Sequence, residues 1–215
     1  MSKKKIKLNL PSVKDTILAI IGAILCGLGV GFSNFASLGM DSVGIFYDGI
    51  RNVLGLSSSQ IGTASYVVSF ILFVFLWFVG RKYVSFGSVV YIIVYGIFAN
   101  LGTLMMEHWV SNDSIWHRAV IAVFGILLLF MGLGIYIAID IGVDAFTGTV
   151  LWICDKTHGK MEVVKVIFDL SLTLIGYLLG GKVGILTVIT VIVGGPCIGF
   201  FTRKFQGIYF KYLTK

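Results

Sequence analysis

Charge is what this chain has least of. Lys, Arg, Asp and Glu together make up 13% of its 215 residues, where a soluble domain carries about 25%. There is too little charge to clothe a globule in water. Cysteine is scarce and odd in number: Cys26, Cys154 and Cys197 are scattered, mostly inside apolar stretches. That excludes a disulfide framework and leaves them as small core residues. His108, His117 and His158 lie in loops without metal-ligand spacing, so no metal or cofactor site is expected. A Walker loop, a Rossmann fingerprint, a nucleophile–base pair and a solvated carboxylate pair are all missing, which argues against an enzyme.

Apolar residues are abundant: 57% of the chain, with mean hydropathy +0.97. Long apolar runs recur at Ile17–Phe35, Ile61–Val79, Val84–Met106, Ala119–Ile139, Val163–Leu179 and Val183–Phe201. At ~1.5 Å per residue each can cross a hydrocarbon core of about 30 Å. The expectation is an all-α polytopic membrane bundle with the lipid bilayer as its main partner. The Lys3–Lys7 cluster before the first run resembles a secretory signal, but no small-residue cleavage site follows, so the run is expected to stay. A net charge of +7 fits basic cytoplasmic loops better than nucleic-acid binding, because no basic face is spared from the spans.

The chain also repeats itself. Gly22, Leu25, Gly29, Gly31, Gly39 and Asp41 recur as Gly125, Leu128, Gly132, Gly134, Gly142 and Asp144. Later, Val89, Ile93, Val94 and Gly96 recur as Val188, Ile192, Val193 and Gly195. Between the first and second spans of each half lies a shorter piece, Asp41–Leu56 and Asp144–Asp155, reaching only about 24 Å and 18 Å. Each half therefore reads as three spanning helices plus one short half-helix. Three crossings per half is odd, which inverts the second half relative to the first. The expected layout is a basic cytoplasmic N-terminus (1–15), repeat 1 (16–106), an inter-repeat loop (107–117), repeat 2 (118–205) and a basic C-terminal tail (206–215).

Charge does not choose between six and eight crossings. Six, with both termini inside, leave Arg51, Arg118 and Lys182 outside; eight leave Arg81, Lys82 and Lys182 outside. Either way three of the 17 basic residues lie outside. Six is preferred because the short pieces are short and Asp48 sits in the middle of one.

Candidate site residues follow from the cost of polar groups in a bilayer. Asp41 and Asp144 follow Gly39 and Gly142, a turn-then-cap arrangement for the short helices. Beyond capping, two such helices could aim their positive ends at a shared site that favours an anionic group. Asp169 lies inside the fifth run, with Lys165 one turn earlier as a possible ion-pair partner. Its repeat counterpart is Tyr66. Asp140, Asn34, Asn100 and Tyr136, with Ser33 and Ser37, could line the same cavity. Gly29, Gly31, Gly132 and Gly134 read as helix-packing positions, as do the Gly27/Gly31, Gly176/Gly180 and Gly195/Gly199 pairs. Pro196 weakens one backbone hydrogen bond in the last run.

The Gly-rich first run, the Leu-Gly-x-Asp turn, Gly-Gly-Lys-Val-Gly at 180–184 and Gly-Gly-Pro at 194–196 resemble the YczE/YyaS/YitT-type bacterial membrane proteins, most of all the YczE branch. Met40-Asp41-Ser42 departs from that family's usual first turn. The resemblance implies a bacterial inner-membrane protein with a duplicated unit and an acid at the position of Asp169. The functional expectation is a transporter or permease for a small solute held between the halves. The alternatives are a substrate-binding subunit that docks an energising partner through Ala19 and Ala23, an accessory or regulatory membrane protein, a translocator of anionic lipid headgroups, or a homo-oligomer of any of these.

Overall fold

The computed structural model describes residues 12–110 and 114–212. The basic stretch Lys3–Lys7, the middle of the inter-repeat loop and the last three residues of the tail lie outside them. Among the described residues the chain forms eight α-helices and no strand: α1 (Val13–Ala36), α2 (Ser42–Val53), α3 (Ile61–Val79), α4 (Phe86–Trp109), α5 (Ile115–Ile139), α6 (Ala145–Thr157), α7 (Met161–Leu178) and α8 (Ile185–Tyr212). Single 3₁₀ turns at Ser58–Gln60 and Arg81–Tyr83 precede α3 and α4. Five helices, α1, α3, α4, α5 and α8, are long and apolar enough to cross a membrane. The protein is a multi-pass integral membrane protein.

Two expectations need correcting. The fifth of the six expected spans, α7, has 18 residues and carries Glu162, Lys165 and Asp169, and it is not among the five helices long and apolar enough to cross. The inter-repeat connection is also shorter than 107–117, because α4 continues to Trp109 and α5 begins at Ile115.

Glycine sets the packing. α1 and α5 cross antiparallel with backbone against backbone. A Cβ on Gly29 would lie 2.5 Å from the Gly125 carbonyl oxygen and 2.6 Å from the Leu129 nitrogen; one on Gly132 would lie 2.5 Å from the Gly22 oxygen. The Cys26 thiol reaches the Leu129 carbonyl in the same seam. On its other side, α1 presents Gly27 and Gly31 to Tyr95, Ala99 and Thr103 of α4. Gly134 receives Phe201 of α8, and Gly176 of α7 lies on Ile45 and Phe46 of α2. Ala19 and Ala23, the expected docking face for an energising partner, are fully buried inside the molecule. The Gly195/Gly199 pair does not pack as expected: a Cβ on Gly195 would meet nothing, and one on Gly199 only the tip of Arg203. α8 continues through Pro196.

The short helices fold back. α1 ends at Ser37 in the left-handed region (φ 51°), and Gly39 at φ +102° reverses the chain, with no room for a Cβ beside Gly184 and Thr187. α2 then returns to the end where α1 stopped: Asn52 donates to the Gly180 carbonyl, and Lys182 in the same turn donates to Ser37 Oγ. The second short helix does the same at the opposite end. α5 ends at Asp140 (φ 54°) and Gly142 (φ +156°) makes the turn. α6 then runs back to the α3–α4 turn, where Asp155 meets Lys82 and Tyr83.

The α1–α5 seam gives a direct test. Gly29→Leu should destabilise the protein by about 3 kcal/mol, since neither neighbour is a movable side chain. Gly207→Leu, where a Cβ meets nothing within 4 Å, should be silent. Unfolding of both variants in detergent checks this, and equal stability would contradict the seam.

Candidate functional site

The first residues of α2 and α6 open into one cavity of about 380 Å³. Asp144 caps α6: one carboxylate oxygen accepts from the Phe146 and Thr147 amides at 3.0 and 3.1 Å. Those amides are among the donors that a helix start leaves without a partner. Asp41 stands at the corresponding place before α2, but its buried Oδ1 has no hydrogen-bond partner. Asp169 lines the cavity from α7, with both its oxygens 2.6 Å from Lys165 Nζ. Tyr136 lines it from α5; it is 2% exposed and its hydroxyl has no partner.

The structure therefore brings together Asp41, Asp144, Asp169 and Tyr136, and leaves the other candidates outside the cavity. Asn34 donates to the Ser58 carbonyl and to Thr103, holding α1 to the turn before α3. Asn100 accepts from the Gly62 amide and donates to Thr63, securing the start of α3. Ser33 and Ser37 donate within their own helix or its last turn. Asp140 is the exposed cap of α5. Gly39 and Gly142 make the two turns, and Gly29, Gly31, Gly132 and Gly134 pack helices.

Several lining residues were not foreseen from sequence. Tyr47 of α2 and Tyr91 and Tyr95 of α4 join Tyr136 in a run of rings: Tyr136 to Tyr91 is 4.7 Å between centroids, Tyr91 to Tyr95 is 5.4 Å, and Tyr95 to Tyr47 is 6.0 Å. Phe146 of α6 continues it from Tyr47 at 5.6 Å. Ser69 contacts the Tyr47 hydroxyl at 3.2 Å. Tyr91 and Tyr95 stand four apart, one turn of helix, but nothing in an apolar run separates such a pair from ordinary core.

Towards the Ser37 end a polar network ties α2 to the turn between α7 and α8. Asp48, fully buried, accepts from Arg51 Nε and Nη2 at 2.9 and 2.7 Å and from the Lys182 amide at 2.9 Å. Arg51 also donates to the Leu56 carbonyl and to Asn52. At the opposite end, hydrogen bonds from Lys82 and then from Tyr83 hold the exposed Asp155 carboxyl below its usual range. That clamp is solvated and adds little stability.

Residues 13–203 match the model of DUF6198, described as a family of unknown function. A protein of Haemophilus influenzae (strain Rd), titled only as uncharacterized, is 26% identical over 188 residues, covering 87% of this chain and 83% of that protein. No solved structure matches.

The buried pair carries the site's prediction. Asp48→Ala leaves the Arg51 charge buried without its partner and should cost about 3–5 kcal/mol. Adding Arg51→Ala should recover part of that loss. A detergent unfolding series checks the order; a double variant less stable than Asp48→Ala would show that the two residues are not coupled in this way.

Proposed function

The chain belongs to the DUF6198 family, whose function is unknown, so its activity has to be read from its own cavity; we propose that it is a permease. In this reading it moves a small solute, without covalent chemistry, through a site between two inverted halves, residues 16–106 and 118–205. One observation carries it: α2 and α6 begin in the same cavity and end at opposite ends of the bundle. Broken or short helices meeting at mid-membrane are how secondary transporters present polar backbone to a solute while keeping it out of lipid.

Reciprocal contacts support the inverted arrangement. With each repeat position matched to its counterpart, Gly22 touching Gly132 is the same contact as Gly29 touching Gly125 seen from the other half. Gly39 against Gly184 and Thr187 mirrors Gly142 against Ser85 and Ser88. Ser37 and Asp140, the two left-handed helix ends, are counterparts as well. Such reciprocity is what a two-fold axis requires. The protein then sits in a bacterial cell membrane with both termini cytoplasmic, the orientation that keeps most Lys and Arg inside. The YczE-type resemblance fits the same reading.

The cavity does not favour an anion. Asp144 already takes up the positive end of α6, a second carboxylate, Asp41, stands at the start of α2, and Lys165, the single basic residue of the lining, is paired with Asp169. An anionic lipid headgroup meets the same obstacle. A partner-dependent binding subunit loses its proposed docking face, because Ala19 and Ala23 are buried.

Alternating access can be tested without knowing the solute. A Thr190→Cys variant lacking Cys26, Cys154 and Cys197 should react with an impermeant maleimide from both faces of sealed vesicles. Cross-linking cysteines placed at Ser37 and Lys182 should abolish reaction from that face alone. Labelling from one face only, with or without the cross-link, would favour a static membrane protein.

A further inference from the structure

We infer that the cavity takes an amphiphilic organic cation and admits it sideways, through an opening between α7 and α8; the inference rests on the permease reading. The charge of the lining points to the sign of the ligand. Its charged groups, among the described residues, are Asp41, Asp144, Asp169 and Lys165, three carboxylates against one ammonium. Lys165 is paired with Asp169, which leaves the carboxylates of Asp41 and Asp144 without a counter-ion in the lining, and a bound cation supplies one. Two polar atoms also wait for a partner: the Tyr136 hydroxyl and Asp41 Oδ1 are both buried and unbonded.

The rest of the wall says which kind of cation. Tyr47, Tyr91, Tyr95, Tyr136, Phe130 and Phe146 supply aromatic surface around the carboxylates. Aromatic rings attract a positive charge that has shed its water, and quaternary ammonium groups shed theirs readily. A small inorganic ion prefers an oxygen cage, and no group of three acidic, histidine or cysteine side chains among the described residues could hold one. The volume of about 380 Å³ falls at the small end of organic ligand pockets.

The opening has a cause in the repeat. In the first half, α3 packs on α4: a Cβ on Gly62 would collide with the Gly96 carbonyl oxygen, and the Tyr66 ring covers Gly96 while its hydroxyl donates to the Ile93 carbonyl. In the second half the counterparts of Gly62, Tyr66 and Gly96 are Lys165, Asp169 and Gly195. A lysine cannot make the close contact that a glycine makes. Thus α7 packs on α2 and α6 but not along α8, and beside Gly195 there is open space. Lys165, Val166, Asp169 and Leu170 form one side of the gap; Val191, Gly194 and Gly195 are on the other. Val166 and Val191 are each 57% exposed there. A solute with an apolar body and a cationic head can reach this gap from the lipid, where such molecules concentrate.

The test is binding to the full chain in lipid nanodiscs, using benzyltrimethylammonium, its neutral carbon isostere neopentylbenzene, and benzenesulfonate, read by calorimetry. The cation is expected to bind at least tenfold more tightly than either. Asp144→Asn, which keeps a good helix cap, should weaken the cation at least tenfold, and Lys165→Met should tighten it by a similar factor. A merely structural role for these residues would not move affinity in opposite directions. Gly195→Trp should slow association with little change in melting temperature, since it fills free space. Equal binding of the neutral isostere, preference for the sulfonate, or a Lys165→Met variant that loses the cation would overturn the inference. Flux of the labelled cation into proteoliposomes separates the two readings. Binding without flux leaves the cation site standing and removes the permease; flux of a neutral or anionic solute without cation binding does the reverse.

Discussion

The structure depends on how closely α1 and α5 approach. Gly22, Gly29, Gly125 and Gly132 let carbonyl oxygens of one helix rest on the backbone of the other. In lipid there is little hydrophobic gain from pressing two apolar helices together, so the association relies on close van der Waals contact over many atoms. Larger residues here would push the helices apart and with them everything they carry: α4 on the far side of α1, α8 on α5, and the two turns at Gly39 and Gly142. The cavity is what remains beside this tight crossing, where α5 presents Leu129, Phe130, Leu133 and Tyr136 instead of glycine.

Around that crossing, several of the charges inside the bundle, among the described residues, are neutralised within a turn of helix. Asp48 and Arg51 pair three residues apart, Lys165 and Asp169 pair four apart, and Asp144 binds the amides of the helix it starts. Local neutralisation is how a membrane protein keeps ionic groups without a large solvation cost. Asp41 is the exception, with an oxygen left unsatisfied in the cavity. Its position matches that of Asp144, yet its bonding differs, so the two ends of the site are not electrically equivalent.

Much of this was legible in the chain. The apolar runs set the long helices to within a few residues except at the end of α8, which continues to Tyr212 through most of the stretch expected as a tail, and Gly-then-Asp marked both folded-back turns, because a reversed chain needs positive φ and a helix start needs an acceptor. Asp169 was legible for the same reason that Lys165 was: charges are rare in such a run and stand out. Tyr136 was named as a polar candidate, but Tyr47, Tyr91 and Tyr95 did not stand out, since an aromatic ring in an apolar helix looks the same whether it lines a cavity or fills a core. Asn34 and Asn100 were legible only as polar groups, and their partners lie in other helices, which spacing alone does not reveal. Gly195/Gly199 and Gly27/Gly31 share one pattern and have opposite surroundings, because a small residue permits a close neighbour without supplying one.

The exchange of Gly62 and Tyr66 for Lys165 and Asp169 bears on energetics as well as on shape. On the permease reading, two halves related by a two-fold axis lend themselves to two arrangements in which they exchange roles, with free energies close enough for thermal interconversion. Whatever separates those energies must come from places where the halves are unlike. The seam that is shut between α3 and α4 and parted between α7 and α8 is one such place, so on the permease reading one turn of α7 contributes to which side of the bilayer the molecule favours at rest.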